Sequence, residues 1–455
     1  MDRARRRWYV PAGAANGAVS RRFHRFAAAR ATPFGPHGAA LSKLLVLLIT
    51  AFVDMVGLLM VVPLIPFYAT DMGGGGLVVG LLVSSFSLAQ LLSAPLWGRF
   101  SDRYGRRPAL LVGLGASAIA YVIFGLASSL WLLLASRLVQ GAGGGTVGVL
   151  QAYIADATEP KDRAKSLGWL SAATNLGVMI GPTLGSLSSN LGHAAPGMFA
   201  AALCTINAVF AFFYLRESKA PASADDASAP PPVRPREVMR EVLTHPGDPA
   251  PRLIWIYSVA IGAFMGFTAV LPLFLAVRFG VTKETIGYLF AWNGAIAVLV
   301  RAFILGKAVD RFGEARLSRW GQVTLALGLV LLPFTWRVPG VFHLGGWEIE
   351  HRIVVLALVI ALVPLGTAFT FPCVTALLSQ VIEPRERGVV MGVQQSFGGA
   401  ARVIFPALLG FVFERVGVPY PFWISAALVA ATLFMSFGLE PRPKPAPKEA
   451  AVAAD

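Results

Sequence analysis

Charged side chains are scarce in this chain. They make up 14% of its 455 residues, whereas 56% of the residues are hydrophobic. Average soluble domains carry roughly 25% charged residues, which they need to cover a core with a water-compatible surface. The composition therefore excludes an ordinary soluble domain and indicates that lipid covers much of the protein.

Cysteine and catalytic motifs are also lacking. Cys204 and Cys373 are the only two cysteines, and both lie in apolar stretches, which predicts packing residues and not a disulfide or a metal pair. The six histidines are scattered, and no Ser/His/Asp spacing or Gly-rich loop followed by Lys-Ser/Thr occurs. These absences predict a protein with no catalytic residues, no metal site, no cofactor and no ATP-driven reaction.

Long apolar runs dominate what remains. Twelve of them are long enough to cross a bilayer as helices. In chain order they cover residues 44–68, 78–98, 108–127, 131–155, 166–188, 197–215, 253–276, 285–306, 317–336, 353–380, 389–413 and 421–440. The chain is therefore predicted to be an all-α, multi-pass integral protein surrounded by the lipid bilayer.

Basic residues outnumber acidic ones by 39 to 24. With both termini on one side, 31 of the Lys and Arg residues fall in tails and loops on that side and five in the loops opposite. The other three, Arg137, Arg301 and Arg402, lie within spans. The positive-inside rule then predicts that both termini are cytoplasmic and that the cell (inner) membrane is the location. Because topology explains the charge, no nucleic-acid partner is expected.

Two motifs occur twice in the chain. Glu159–Arg163 returns as Glu383–Arg387, a step of 224 positions, and Gly98–Gly105 returns as Gly306–Gly313, a step of 208. A longer outside loop at 337–352 accounts for the growing step. A duplicated unit in an apolar chain predicts a two-halved membrane transporter with two pseudo-symmetric six-helix bundles.

The repeats and the composition together predict five segments. These are a basic cytoplasmic N-terminal tail (1–43), an N-terminal six-helix bundle (44–216), a cytoplasmic linker (217–252), a C-terminal six-helix bundle (253–440) and a disordered cytoplasmic tail (441–455). Residues 1–40 fit a disordered tail, an over-long start or an organellar targeting segment. Within the linker, residues 236–243 have helical spacing and are expected to lie along the membrane face.

The loop between the second and third spans carries a repeated polar pattern. Its glycines allow a tight turn and close helix contact, its aspartate can cap a helix, and its arginines can reach carboxylates. The residues are Gly98, Asp102, Arg103, Gly105 and Arg106, with Gly306, Asp310 and Arg311 in the second copy. The pattern predicts a conformational gate, and the alternative is a simple positive-inside loop.

An aspartate stands inside the first span. Asp54 lies about ten residues into the run, near mid-bilayer at 1.5 Å per residue, and Pro63 and Pro66 loosen the helix after it. Desolvation favours the neutral carboxyl group, so such a residue can take up and release a proton near neutral pH. Asp54 is predicted to carry protons, and the alternative is a structural carboxylate permanently paired with an arginine.

Other polar residues within spans are candidates for function. Arg137 in the fourth span needs a carboxylate, carbonyl groups or a watery cavity, unless it snorkels to the interface; it is predicted to tune the charge of Asp54. Arg301 and Arg402 either attract an anionic substrate group or pair with backbone carbonyls. The predicted cavity residues are Gln90, Gln140, Asn175, Asn293, Arg301, Gln394 and Arg402, and Trp292 and Gln395 are further candidates for its lining. The fifth span is predicted to be a packing and hinge element through Gly177, Gly181, Pro182 and Gly185.

Across residues 44–440 the chain resembles the major facilitator superfamily, and within it the proton-coupled drug antiporters. Gly98–Pro108 resembles the first signature of the family, Arg137–Gly145 the signature of the fourth helix, and Gly177–Gly185 the antiporter signature of the fifth. Phe52–Pro66 and Ile154–Thr158 are similar to the tetracycline-exporter group.

The resemblance implies a monomer of two six-helix bundles around a cavity that opens alternately to each side. It also implies that Asp102 caps the eleventh helix and that Arg106 pairs with Asp156 to latch the outward-open state. The third-helix carboxylate of tetracycline exporters falls at Ala120 and their eighth-helix histidine near Ala297, which argues against tetracycline as the substrate.

These observations together predict a secondary active transporter that exports a small amphipathic molecule against inward proton flow. One alternative is proton-independent uptake or exchange of a native metabolite or organic anion. A second, from a different class, is a non-transporting membrane sensor with the same fold. The gate motifs in both halves argue against the sensor, since a static protein does not need them.

Overall fold

The computed structural model describes residues 36–158, 160–215, 217, 234–344, 347–383 and 385–439. Residues 44–439, as far as they are described, belong to one compact unit. The segments at 1–35, 218–233 and 441–455, which include most of the predicted tails and the Pro-rich part of the linker, lie outside the described residues.

The first half, as far as it is described, consists of eight helices. They are α1 (Pro36–Val61), α2 (Ile65–Asp71), α3 (Gly76–Tyr104), α4 (Arg106–Gly125), α5 (Leu130–Gly143), α6 (Thr146–Ala157), α7 (Pro160–Ser189) and α8 (Ala195–Tyr214). A short 3-10 segment, Val62–Leu64, joins α1 to α2. Pro63 and Pro66 lack the N–H that an α-helix needs, which confirms that the two prolines loosen the first predicted span.

The second half repeats this plan. Its helices are α9 (Pro235–Thr244), α10 (Pro249–Phe279), α11 (Ile286–Leu299), α12 (Leu305–Phe312), α13 (Glu314–Leu331), α14 (His351–Val381), α15 (Arg387–Arg415) and α16 (Tyr420–Met435). A π-helical segment, Val300–Ile304, joins α11 to α12, and a 3-10 segment, Leu332–Arg337, follows α13. The helix α9 confirms the helical spacing at 236–243.

The predicted outside loop at 337–352 contains a small β-hairpin. Strands β1 (Val341–Leu344) and β2 (Trp347–Glu350) pair antiparallel, with Val341 opposite Glu350. The all-α prediction does not include this hairpin, because strands this short leave little alternation of apolar and polar residues in the sequence. The hairpin marks one end of the bundle, called the hairpin face below. The opposite end carries the turn at Asp102–Arg107 and is called the basic face.

Nine helices in the described part of the chain are long and apolar enough to cross a membrane. The fourth predicted span is interrupted between α5 and α6, the fifth forms α7, and the twelfth is α16, an apolar helix of 16 residues. These observations confirm a nearly all-helical membrane protein and are consistent with twelve spans.

The two halves touch at the hairpin face. A Cβ added to Gly80 of α3 would lie 2.2 Å from the carbonyl oxygen of Pro406 in α15, and one on Gly287 of α11 would lie 2.4 Å from that of Pro182 in α7. Glycine permits such close helix contact because it has no side chain. Near the basic face, a Cβ on Gly98 or Gly306 would meet no atom within 4 Å. Both glycines are exposed, so neither serves as a close helix contact.

Candidate functional site

Asp54 is buried among the helices of the first half. Its residue exposure is 6%, and its Oδ2 accepts a hydrogen bond of 2.8 Å from the hydroxyl of Thr146 at the start of α6. Within the described ranges, no Lys, Arg or His side chain forms an ion pair with Asp54. A buried carboxylate held by one neutral donor is costly to keep ionised. The geometry therefore differs from the alternative of a permanently paired structural carboxylate.

Arg137 is buried nearby in α5. It is 2% exposed, and its Nε and Nη2 atoms have no hydrogen-bond partner among the residues that the structure describes. The guanidinium lies 5.9 Å from the centre of the Phe86 ring, a cation–π distance. It does not snorkel to the surface, since the side chain is fully covered. Burying a positive charge with unpaired N–H groups costs free energy, and a negative charge nearby would lower that cost.

Tyr121 of α4 lies within electrostatic range of both Asp54 and Arg137. Its hydroxyl accepts a hydrogen bond of 2.8 Å from Nε2 of Gln140. Its ring packs on the helix turn after Asp54, 3.3 Å from the position of a Cβ on Gly57. Sequence reasoning missed Tyr121 and Thr146, although both are polar side chains inside apolar runs. That signal alone does not distinguish a site residue from a packing residue.

The fourth span is interrupted at Gly144 and Gly145, between α5 and α6, and Gly143–Gly145 is called the interrupted segment below. The backbone carbonyls around this interruption accept hydrogen bonds from three side chains on one face of α3. Gln90 donates to Gly144 at 3.0 Å, Ser93 to Gly141 at 3.4 Å, and the indole of Trp97 to Ala142. Side chains from α3 thus add hydrogen bonds to carbonyl groups at the break, and the Gly141 carbonyl also accepts one of 3.0 Å from the backbone N–H of Gly144.

A cavity of about 450 Å³ lies between α3, the interrupted span and α15. It reaches the basic face at Ser101 and Arg106 and extends inward past Trp97 and Gly145. Arg106 and Arg402 are the charged side chains among its described lining residues, and no carboxylate lines it. The cavity is thus partly apolar, partly polar and positively charged, which suits an amphipathic ligand.

The structure separates the predicted cavity residues into two groups. Gln90 and Arg402 line the cavity, whereas Gln140 and Gln394 do not: they are 2% and 0% exposed and lie inside the helix packing. Gln395 lines the cavity in place of Gln394. One residue along a helix turns a side chain by about 100°, so the phase of α15 decides which of two adjacent glutamines faces the cavity.

Arg301 lies elsewhere, in the π-helical segment Val300–Ile304. Its Nη1 donates a hydrogen bond of 2.9 Å to Oδ1 of Asn175 in α7, which joins the two halves. Asn293, two turns earlier, has a buried Oδ1 with no partner in the described part of the chain. π-helical turns are rare and occur frequently at functional sites. Arg402 contacts the hydroxyl of Tyr257 at 3.5 Å.

The gate residues of the first half form a compact ion cluster. Arg106 lies 2.9 Å from Asp156, 3.0 Å from Asp102 and 2.9 Å from the hydroxyl of Ser101. The implied pair of Arg106 and Asp156 is therefore present. The N-cap residue of α15, Glu386, makes no capping hydrogen bond through its own side chain. The implied capping of the eleventh helix by Asp102 stays a prediction. Arg103 is exposed and lies over the ring of Tyr104.

The second copy of the motif forms no such cluster. Asp310 and Arg311 are exposed, and neither makes an ion pair among the described residues. The position that matches Arg106, 208 residues on, holds Glu314, so Asp310 has no cation four residues later. Glu314 accepts a hydrogen bond of 3.1 Å from Gln380 instead. The ion cluster is thus confined to the first half.

The glycines of the two copies take no part in an ion cluster, and one in each copy ends a helix. Gly105 and Gly313 have positive φ angles, of 102° and 76°, which glycine adopts easily and which end α3 and α12. Gly98 and Gly306 make no close helix contact, contrary to expectation.

The fifth span packs on the first, as its small residues predict. Cβ atoms added to Gly177, Gly181 and Gly185 would lie 2.1–2.8 Å from atoms of α1 around Asp54, such as the carbonyl oxygen of Met60. Helix α7 continues through Pro182 without a break. These glycines therefore bring the backbone of α7 against the helix that carries Asp54.

Comparison with known proteins agrees with this architecture. The family model of the Major Facilitator Superfamily matches residues 47–335 and 255–454. Multidrug resistance protein 2 of Bacillus subtilis (strain 168) is 28% identical over 381 residues, which cover 83% of this chain and 90% of that protein. Tetracycline resistance protein, class C, of Escherichia coli is 30% identical over 387 residues, 82% of this chain and 90% of that protein.

A solved structure matches as well. The crystal structure of the human organic anion transporter MFSD10 (TETRAN) aligns with a TM-score of 0.62 at 23% identity, over 89% of this chain and all of that one. The helical architecture, the family model and the relatives agree over most of the chain. It belongs to the major facilitator superfamily, a family of transporters and not of enzymes.

Proposed function

We propose that this transporter exports a small amphipathic compound in exchange for protons. The observation that carries the proposal is Asp54, a buried carboxylate that a neutral hydroxyl holds and no cation neutralises. Protonation removes its charge and ionisation restores it, so the stability of the surrounding helix packing depends on the proton. The drug-resistance relatives support export as the direction.

The positive-inside distribution supports a cytoplasmic basic face with both termini on that side. The described form then opens toward the cytoplasm and is closed at the hairpin face. Substrate enters beside Trp97 and Arg402, and Asp54 releases its proton. Movement of the two halves exposes the cavity at the hairpin face, where Asp54 takes up a new proton. The cluster of Asp102, Arg106 and Asp156 is the gate, and Arg137 attracts the Asp54 charge.

Transport in proteoliposomes tests this proposal. The lumen holds a pH dye, a proton gradient is imposed, and the panel contains ethidium, chloramphenicol and fluorescein as cationic, neutral and anionic probes. The wild type is expected to dissipate the gradient with at least one probe, and Asp54→Asn to abolish that flux. Glu241→Gln removes an exposed carboxylate of α9 and serves as the control. Unchanged transport in Asp54→Asn, with folded protein, would contradict the role of Asp54 as the proton carrier.

The charge of the cavity favours a second candidate, exchange of an organic anion without protons. Arg402 lines the cavity with one long contact to Tyr257, and no carboxylate lines it among the described residues. Fluorescein exchange that is independent of pH and lost in Arg402→Gln would support this candidate over the first. A protein that moves none of the probes would instead favour the non-transporting sensor.

A further inference from the structure

We propose that the interrupted segment Gly143–Gly145 couples the cavity to Asp54, with Trp97 contacting the substrate and Thr146 positioning the carboxylate. This inference rests on the proposed function and adds a mechanism for its coupling. Trp97 and Gly145 line the cavity, and Thr146, the next residue, donates to Asp54. One short segment therefore touches both the substrate space and the proton carrier.

The cavity side of this connection is built from side chains of α3. Gln90 donates to the carbonyl oxygen of Gly144 within the interrupted segment, and Ser93 and Trp97 donate to those of Gly141 and Ala142 in the turn of α5 just before it. Of these three, Gln90 and Trp97 also line the cavity. A ligand that packs on the indole or bonds to the amide acts on the groups that hold the segment in place.

Close backbone contacts make the segment move with its neighbours. A Cβ on Gly141 would lie 2.3 Å from the carbonyl oxygen of Phe86, and one on Gly145 would lie 2.5 Å from the Trp97 ring. On the other side, a Cβ on Gly113 of α4 would lie 2.8 Å from the methyl group of Thr146. Packing this tight does not absorb a displacement, so a shift of Trp97 is passed to Thr146.

The proton side consists of one hydrogen bond. Donation from Thr146 stabilises the ionised carboxylate of Asp54 more than the neutral acid. The titratable groups that face Asp54 from the packed helices are Tyr121 of α4 and Cys204 of α8, and Arg137 of α5 lies beside Tyr121. An occupant that packs on Trp97 and Gly145 holds Thr146 against Asp54 and so favours release of the proton. Exchange of substrate for a proton requires this coupling, in which substrate binding promotes release of the proton.

Infrared titration of the purified protein tests the Thr146 step without any substrate. The Asp54 carboxyl band is the one that disappears in Asp54→Asn, and its intensity is followed between pH 5 and 9. In Thr146→Val, which keeps the shape and loses the hydroxyl, the midpoint is expected about one pH unit higher. Thr146→Ser keeps the hydroxyl and is expected to restore the wild-type midpoint. An identical midpoint in Thr146→Val would overturn this step.

Proton release on binding tests the cavity step. Protein in weak buffer is mixed with the panel probe that gives the largest flux, and released protons are counted per probe bound. Trp97→Phe keeps an aromatic ring and loses the N–H donor, and it is expected to release less than half of the wild-type amount. Trp131→Phe, on the exposed surface of α5, is the matched control.

The outcomes separate the inference from the proposed function. If the wild type has no Asp54 band that titrates and releases no proton, the proposed function itself fails. If the wild type releases protons and Trp97→Phe releases the same number, only the coupling through the interrupted segment is overturned.

Discussion

Gly80 of α3 lies directly against Pro406 of α15, so that a Cβ on Gly80 would be 2.2 Å from the proline carbonyl oxygen. One turn away, Gly76 and Gly410 meet in the same way, with a corresponding distance of 2.2 Å from a Cβ on Gly410 to the Gly76 carbonyl oxygen. Glu414 then accepts a hydrogen bond of 3.0 Å from the backbone N–H of Leu77. The closed hairpin face therefore depends on backbone contact between the two halves.

Substitution of Gly80 is expected to open this face. A leucine cannot fit against the Pro406 backbone, and overpacking of this kind costs roughly 1–3 kcal/mol. A cysteine at Ser84, which is buried one turn further inward, reports the change through its labelling rate with an impermeant maleimide. We expect Gly80→Leu to raise the rate about tenfold, since 1.4 kcal/mol is a factor of ten.

Gly115→Leu is the matched control for this substitution, because nothing lies within 4 Å of a Cβ there. The native Cys204 and Cys373 are buried and contribute little background labelling. Equal labelling in Gly80→Leu and Gly115→Leu would contradict the claim that close glycine contact holds the hairpin face closed.

The carboxylate of Glu217 is expected to stabilise the start of α4. It accepts hydrogen bonds from the backbone N–H groups of Arg106 at 2.8 Å and Arg107 at 3.1 Å. Caps of this kind contribute about 0.5–2 kcal/mol, and a negative charge suits a helix N-terminus. Glu217→Ala is expected to lower the midpoint of thermal unfolding in detergent by a few degrees. Glu241→Ala, at an exposed position of α9, is expected to leave the midpoint unchanged.

The pair of Arg106 and Asp156 is expected to contribute measurable coupling energy. Its atoms are 2.9 Å apart, and the Arg106 side chain is 14% exposed. A double-mutant cycle with Arg106→Gln and Asp156→Asn is expected to give about 1 kcal/mol of coupling in thermal or denaturant unfolding. The looser pair of Lys283 and Asp71, at 3.8 Å, is expected to give close to none. Equal coupling energies for the two pairs would mean that the pair of Arg106 and Asp156 does not stabilise the gate.

Asn175→Asp is expected to strengthen the contact between α7 and the π-helical segment. Arg301 now donates to a neutral amide oxygen at 2.9 Å, and its Nε has no partner in the described residues. A carboxylate there would form a charge-assisted bond between the two halves, roughly twice as strong as a neutral one. We expect higher thermal stability and slower transport, because the halves must separate there during the cycle.

Asn190→Asp adds the same charge at an exposed position and serves as the control. It also loses the hydrogen bond that the native Nδ2 donates to the carbonyl of Leu187, so it would not raise stability. Faster transport in Asn175→Asp would mean that this contact does not resist the movement of the halves.

The helices were largely predictable because their signals are local. Apolar runs, Pro63 and Pro66, and the spacing at 236–243 each appear in the structure near the expected place. The π-helical segment at Val300–Ile304 was not predictable, since its sequence is as apolar as an ordinary helix apart from Arg301. The hairpin at 341–350 was missed for a similar reason, because two four-residue strands leave no clear alternation.

The site was predicted in part. Asp54 and Arg137 were identified because charges are rare in apolar runs, and both are buried. Their arrangement did not follow, since the residue that holds Asp54 is Thr146, a common polar residue 92 positions away. The gate was expected in both halves, but the second copy has Glu314 where the first has Arg106 and Gln380 where the first has Asp156, so the charges of the cluster are not repeated.

By itself, the sequence determined the membrane environment, the duplicated halves and the rare charges within the spans, because composition, periodicity and charge are properties of the chain alone. Only the tertiary structure decided which polar atoms meet. Gln395 and not Gln394 faces the cavity, and the indole of Trp97 in α3 donates to the carbonyl of Ala142 in α5. These contacts depend on the rotation of each helix about its axis and on the interrupted segment Gly143–Gly145. Packing of neighbouring helices sets both, and no local pattern records them.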